Sequence, residues 1–142
     1  MMRRAWSWLL TALVCSLALV SCVETADVED FVRRDEARSG VYVYKMELPD
    51  TTAAYDVWFY SRSADRPLEG VEMRVQWLAP SGEAFAETVY MHRIDPRGTK
   101  ELYRSGVVPA QAGTWQLSVR PVGVGEDFLG LGVICKKQNG TR

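Results

Sequence analysis

Apolar and polar residues alternate along two stretches of the chain with the period of a strand that has one buried face. In 71–77, Val, Met, Val and Trp alternate with Glu, Arg and Gln, and in 115–119, Trp, Leu and Val alternate with Gln and Ser. Residues 55–60 are apolar on both faces apart from Asp56. Weaker candidates are the segments 41–46, 84–92, 99–103 and 129–135. This pattern predicts about seven short strands.

The breaks between these segments carry turn residues. Ala79-Pro80-Ser81-Gly82 fits a hairpin, because Pro presets φ and Gly accepts a positive φ. Other turns are predicted at 49–50, 65–67, 95–98 and 109–113. No helical pattern separates the strands, which argues against a parallel α/β sheet. We therefore predict an all-β fold, an antiparallel β-sandwich that is Ig-like or jelly-roll-like, with a small barrel as the alternative.

The first 22 residues have the order of a secretory signal. Arg3 and Arg4 precede an apolar run, 5–20, that is shorter than most membrane-spanning helices. Acidic residues follow the run in place of a stop-transfer pattern, so a cleaved signal is predicted rather than a membrane span.

The end of this run, Leu19-Val20-Ser21-Cys22, resembles a bacterial lipobox. The resemblance implies cleavage before Cys22, attachment of diacylglycerol to its sulfur and acylation of the new amino terminus, which together make a stable membrane anchor. The alternative is an ordinary secretory signal with a chance cysteine. Val23 stands where an inner-membrane retention signal has Asp, so the predicted location is the outer membrane, on its periplasmic or surface side. The acidic stretch 24–30 is either a surface-export signal or a solvated tether.

Four segments follow from these observations. We predict a signal peptide over 1–21, a lipidated N-terminus and tether over 22–38, a β-sandwich domain over 39–138 and a flexible tail over 139–142. The tether has room for a short helical or extended piece near Phe31. Once Cys22 is lipidated, the mature chain has Cys135 as its remaining cysteine. No intramolecular disulfide is expected, and Cys135 is predicted to be a buried small apolar residue on a strand. The alternative is a reactive thiol or an intermolecular disulfide.

The composition leaves little material for catalysis. The chain has one histidine, His92, and three cysteines, so neither a metal site nor a cofactor is predicted. It has no Gly-X-Ser-X-Gly motif and no phosphate-binding glycine loop. Chance pairs among the 18 acidic residues carry little weight. A formal charge of -1 gives no electrostatic case for nucleic acid. We predict a protein that is not an enzyme.

One predicted strand offers a binding patch. If the odd-numbered residues of 55–59 face the core, Trp58, Tyr60 and Arg62 share the opposite face with Asp56. Exposed aromatic faces stack on sugar rings or anchor a protein partner. The alternative is that this strand is buried on both faces.

Asp50-Thr51-Thr52 resembles the O-glycosylation acceptor pattern of Bacteroidetes and lies in a predicted turn. Thr51 is therefore a predicted glycosylation site. Asn139-Gly140-Thr141 fits an N-glycosylation sequon, but in a bacterial lipoprotein we interpret it as part of the flexible tail.

Within 55–91, Tyr55-Asp56-Val57 opens a strand, and after a loop the run 71–78 leads into Pro80-Ser81-Gly82-Glu83. This order resembles the middle of the gliding-motility-associated lipoprotein H family of Bacteroidetes. Gly113-Thr114-Trp115 and the segment 129–133 are similar to that family's closing strands. The chain lacks the family's tryptophan-containing first strand and its tyrosine-rich middle loop. The resemblance implies a non-catalytic lipoprotein that supports gliding and secretion machinery.

Two functions from different classes follow. The leading prediction is a lipid-anchored envelope protein with a structural or interaction role and an envelope protein as partner. The alternative is a surface lipoprotein that binds carbohydrate or another ligand. An exposed aromatic row or groove on the sheet would favour the alternative, and a flat polar surface with one apolar patch would favour a protein partner.

Overall fold

A computed structural model of the protein describes residues 28–139, which form two antiparallel sheets of four strands each. The strands are β1 (Val28–Arg33), β2 (Tyr42–Leu48), β3 (Tyr55–Ser63), β4 (Leu68–Leu78), β5 (Ala84–Ile94), β6 (Thr99–Val107), β7 (Gly113–Val122) and β8 (Phe128–Lys137). The all-β antiparallel sandwich is confirmed, with eight strands rather than about seven. The predicted signal peptide, Cys22 and residues 140–142 lie outside the described residues.

The strand order identifies the type of sandwich. The first sheet has the order β1-β8-β3-β6 and the second the order β2-β7-β4-β5. The β4–β5 hairpin joins neighbours in one sheet, whereas every other connection within 28–139 passes between the sheets. This is the arrangement of an eight-stranded jelly roll. The predicted hairpin turn is present: the Gly82 N–H donates to the Ala79 carbonyl at 2.9 Å, and Gly82 has a φ of 90°.

The first strand corrects the predicted tether. The predicted tether 22–38 contains more than a short extended piece near Phe31: its part Val28–Arg33 is β1, which pairs along its whole length with β8. Asp30 has the same strand parity as the half-buried Val28 and Val32 but is charged and exposed, so the sequence of this strand shows no alternation of a buried face. The neighbouring strand β8 supplies the hydrogen bonds that order this segment.

The inner faces of the two sheets form one apolar core. Its largest fully buried side chains are Tyr44, Met46, Phe59, Met73, Met91, Ile94, Leu117, Phe128 and Leu131. The Tyr44 hydroxyl on the second sheet donates to the Leu131 carbonyl on the first, and burial raises the pKa of Tyr44 far above its usual value. The buried hydroxyl of Ser61 donates to the Gly130 carbonyl at 2.8 Å. Cys135 is buried on β8, as predicted.

The strand register gives the sandwich two distinct ends. One end, the groove end, contains Arg33, Arg62 and Gly130, which lie side by side on β1, β3 and β8. The other end, the cleft end, contains the first residue of β1, Val28, and the last residue of β6, Val107. Within the part of the chain that is described, no helix is long and apolar enough to cross a membrane.

Candidate functional site

Strand β3 lies inside the first sheet and presents alternate residues to the two sides. Tyr55, Val57 and Phe59 are buried in the core, and Ser61 and Ser63 continue the same face. The side chains between them point to the outer face of the sheet. Trp58 and Tyr60 are half-buried there and Arg62 is exposed, so the three residues share the face that the alternation predicts.

An aromatic pair spans three strands of this outer face. Phe31 on β1 and Tyr60 on β3 both pair with Gly132 on the intervening strand β8. Because Gly132 has no side chain, the two rings meet across it with centroids 6.0 Å apart and planes inclined by 63°. Phe31 remains 39% exposed. A row of aromatic surface therefore crosses the sheet at right angles to its strands.

Glycines make the room that this pair needs. A Cβ atom at Gly130 would lie 2.6 Å from the Phe31 ring and 2.8 Å from the Val32 carbonyl oxygen. At Gly98, in the turn before β6, a Cβ would lie 2.5 Å from the Tyr60 hydroxyl. Phe31 and Tyr60 can occupy these positions because the neighbouring backbone carries no side chain.

The aromatic pair lines a groove of about 880 Å³ at the groove end of the sandwich. We call it the aromatic groove; it is lined by Phe31, Arg33, Arg34, Asp35, Tyr60, Arg62, Glu126, Phe128 and Leu129. Two of its guanidinium groups are held in place: Arg33 contacts Asp35 at 3.3 Å, and the Arg62 Nε donates to the Pro96 carbonyl at 3.2 Å. The groove thus combines an apolar floor with donors and acceptors on its rim.

Trp58 lies on the same face but outside the aromatic groove. It pairs with Ile134 on β8 and Leu102 on β6, and the Lys100 ammonium lies 4.5 Å from the centre of its ring. Such a cation over the ring covers part of the face that a ligand would use. The structure therefore brings Tyr60 and Arg62 together in the groove and leaves Trp58 next to it.

Asp56, which flanks the predicted patch, forms hydrogen bonds with the neighbouring strand β6 and with the segment after β8. It accepts hydrogen bonds from the Ser105 hydroxyl at 2.8 Å, the Gly106 N–H at 3.0 Å and the Gln138 amide at 2.7 Å. These donors stabilise the carboxylate, with Ser105 contributing most, and hold the pKa of Asp56 below its usual value. Asp56 therefore fixes β6 and the segment after β8 rather than facing a ligand.

Thr51 is exposed in the turn between β2 and β3. The neighbouring Asp50 accepts hydrogen bonds from the Thr52 hydroxyl at 2.6 Å, the Thr52 N–H at 2.9 Å and the Lys137 ammonium at 3.1 Å. Chiefly through the Thr52 hydroxyl, these donors lower the pKa of Asp50. These hydrogen bonds order the turn beside the exposed Thr51, whose glycosylation stays a prediction.

The single imidazole lies on the surface of β5. The His92 side chain is 89% exposed, and its Nδ1 pairs with Glu101 on β6. No cluster of three or more His, Cys, Asp or Glu side chains that could hold a metal ion occurs among residues 28–139.

Sequence reasoning missed the two partly exposed apolar residues of the aromatic groove, Phe31 and Leu129. Phe31 lay in the predicted tether, and Leu129 lay at the start of a strand expected to face the core. Both are about two-fifths exposed. The signal that could have found Phe31 is the spacing of Gly130 and Gly132, because two glycines on one face of a strand leave space for a neighbouring ring.

Comparison with known proteins gives fold neighbours alone. No family model and no curated protein matches the chain. The structure of TmCBM61 in complex with β-1,4-galactotriose has a TM-score of 0.37 and 16% identity, and it aligns with 70% of this chain and 62% of its own length. The CBM22-1 xylan-binding domain of Xyn10C from Paenibacillus barcinonensis has a TM-score of 0.40 and 9% identity, covering 78% of this chain and 87% of that domain. Likeness at this level says nothing of what this chain binds.

Proposed function

We propose that this chain is a non-catalytic carbohydrate-binding protein, anchored to the bacterial cell envelope by a lipid on Cys22, and that the aromatic groove holds the sugar. The observation that carries the proposal is the pair of Phe31 and Tyr60 rings across Gly132, on the outer face of the first sheet. An exposed aromatic row of this kind favours the ligand-binding alternative over the interaction role that led the sequence predictions.

The chemistry of the aromatic groove suits a sugar. A pyranose ring has an apolar face of C–H groups and an edge of hydroxyls that both donate and accept hydrogen bonds. Aromatic rings match the first feature. Guanidinium donors from Arg33 and Arg62 and carboxylate acceptors from Asp35 and Glu126 match the second. Binding sites commonly combine an apolar surface with a few such polar groups.

The anchor rests on the lipobox residues, and the role beside gliding or secretion machinery rests on a sequence resemblance. Both stay predictions, and the second is not required by the proposed binding. An anchored binding protein would hold a glycan near the cell surface without changing it chemically.

Affinity electrophoresis of the full chain in mild detergent, with gels containing xylan, β-1,4-galactan or alginate, tests the binding. We expect retardation by at least one polysaccharide, and we expect Tyr60→Ala and Phe31→Ala to weaken it about tenfold or more, as loss of a central aromatic contact does. Tyr90→Ala is the matched control, because Tyr90 is 58% exposed on the other sheet. Equal loss in the control, or no retardation by any of the three, would contradict the proposal.

Trp58 needs a separate measurement. If Trp58→Ala weakens binding while the thermal midpoint stays close to that of the unmodified chain, the binding surface extends beyond the aromatic groove. A severe loss of thermal stability would instead show that Trp58 is a structural residue, which would exclude it from the binding surface.

A further inference from the structure

A second concavity lies between the two sheets at the cleft end. It has a volume of about 410 Å³ and lies on the side where the edge strands β5 and β6 approach each other. We call it the apolar cleft; its apolar lining includes Leu48, Trp77, Phe85, Val108, Pro109 and Trp115. Phe85 is 51% exposed and Val108 is 55% exposed, so the mouth of the cleft is also apolar.

A network of polar side chains forms one side of the apolar cleft. The Trp77 indole N–H donates to the Tyr103 hydroxyl at 3.1 Å, and that hydroxyl donates to the Glu87 carboxylate. Arg104 donates to the same carboxylate from Nε, at 3.2 Å, and from Nη2. Burial, followed by the hydrogen bond to Glu87, raises the pKa of Tyr103 to about 12, so the phenol is neutral at physiological pH.

The irregular pairing of β6 with β3 determines where Tyr103 and Arg104 of this network lie. Between Tyr55 and Trp58 on β3, the partner positions on β6 run from Val107 to Leu102, so β6 is the longer strand across this stretch. Such bulges re-aim side chains and often lie beside functional sites. Here the consecutive residues Tyr103 and Arg104 both reach Glu87, which regular alternation would prevent.

The network presents unused donors to the cleft. A guanidinium group has five N–H groups, of which Arg104 uses two on Glu87. Glu87 already accepts three hydrogen bonds, so its capacity as an acceptor is nearly filled. The Arg104 side chain is 53% exposed, which leaves its remaining N–H groups within reach of a ligand. A ligand head group should therefore be an acceptor, and a carboxylate fits a guanidinium best.

We propose that the apolar cleft binds a small carboxylic acid with an aryl or short alkyl body, independently of the aromatic groove. The apolar body lies among Trp77, Phe85 and Trp115, and the carboxylate accepts hydrogen bonds from Arg104. Because Glu87 holds the guanidinium in place from the other side, Arg104 is oriented before the ligand arrives.

The test compares three probes that share one body. The full chain is titrated with 4-phenylbutyrate, 4-phenylbutanamide and 4-phenylbutylammonium, with tryptophan fluorescence as the readout, because Trp77 and Trp115 line the cleft. We expect saturable binding of the carboxylate, about tenfold tighter than the amide, and no saturation with the ammonium. Equal affinities for the three probes, or no saturable signal with any of them, would overturn the proposal.

Two variants locate the binding. Arg104→Gln should remove the preference for the carboxylate over the amide and leave the affinity for the amide within about threefold. Phe85→Ala should weaken both probes, whereas Tyr90→Ala, an exposed aromatic on the opposite face of the same strand, should weaken neither. If Tyr90→Ala weakens binding as much as Phe85→Ala, the probe lies elsewhere and the proposal fails.

Discussion

Tyr103 shows how one residue links the core to the surface. Its ring stacks on Phe59 with centroids 4.6 Å apart, and on Trp77 at 6.4 Å from the other sheet. Its hydroxyl joins the Glu87–Arg104 ion pair at the edge of the sandwich. The ring of Tyr103 thus packs as an apolar group while its hydroxyl completes a polar network. Buried tyrosines commonly combine these two roles.

The raised pKa of Tyr103 predicts a pH dependence. A tyrosine with a pKa near 12 when folded and about 10 when unfolded contributes stability that is fully present below about pH 10 and is lost as the pH rises towards 12. Tyr103→Phe should lower the free energy of unfolding by about 1–2 kcal/mol at neutral pH, because Glu87 and Trp77 lose a partner.

Urea denaturation at a series of pH values measures this difference. The gap between the unmodified chain and Tyr103→Phe should shrink above about pH 10. Tyr90→Phe, at an exposed position, should show almost no gap at any pH. A gap for Tyr103→Phe that stays constant from neutral pH to the alkaline limit would contradict the assignment.

At the scale of the strands, the contact between β1 and β8 depends on two residues without side chains. Gly130 and Gly132 lie under the Phe31 ring, and both pair with β1. A methyl group at Gly130 would collide with backbone as well as with the ring, so rotating Phe31 away cannot relieve the clash. The aromatic groove and the pairing of β1 therefore share one structural requirement.

We expect Gly130→Ala to lower the free energy of unfolding by about 1–3 kcal/mol, the usual cost of overpacking. Hydrogen exchange should show the loss first in β1, which has one neighbouring strand. Gly125→Ala is the control, because no atom lies within 4 Å of a Cβ at that position. Unchanged protection of β1 in Gly130→Ala would refute this account of the pair.

Individual strands also show which parts of the fold the sequence could predict. Segments 71–77 and 115–119 are strands with one buried face. Alternation alone identifies them, because the second sheet buries its inner face in the core and leaves its outer face towards solvent. The outward positions of Trp58, Tyr60 and Arg62 followed from the same rule. Strand β1 could not be found in this way, since its order comes from pairing with β8, about one hundred residues further along the chain.

The aromatic groove and the apolar cleft could not be predicted from the sequence for a related reason. The apolar cleft is built from β2, β4, β5, β6, β7 and the segment after β6, and its polar wall depends on a bulge in β6 that the local sequence does not predict. The aromatic groove needed the order β1-β8-β3, and strand order is set by packing of the whole domain.

At the scale of the whole molecule, the sequence predicts attachment to a membrane through Cys22. Metabolic labelling with a fatty-acid analogue should mark the unmodified chain and place it in the membrane fraction, whereas Cys22→Ser should be unlabelled. Cys135→Ser is the control, because Cys135 is buried in the core and should not affect labelling. Full labelling and membrane binding of Cys22→Ser would exclude the lipoprotein assignment.

The direction of β1 has a consequence for how such a protein would present its sites. The strand begins at Val28 at the cleft end and finishes at Arg33, roughly 17 Å away at the groove end. If the chain is held by a lipid on Cys22, as the sequence predicts, the first described residue after the anchor, Val28, lies at the cleft end. The prediction that follows is an apolar cleft nearer to the membrane and an aromatic groove farther from it, where a polysaccharide outside the cell would meet the groove first.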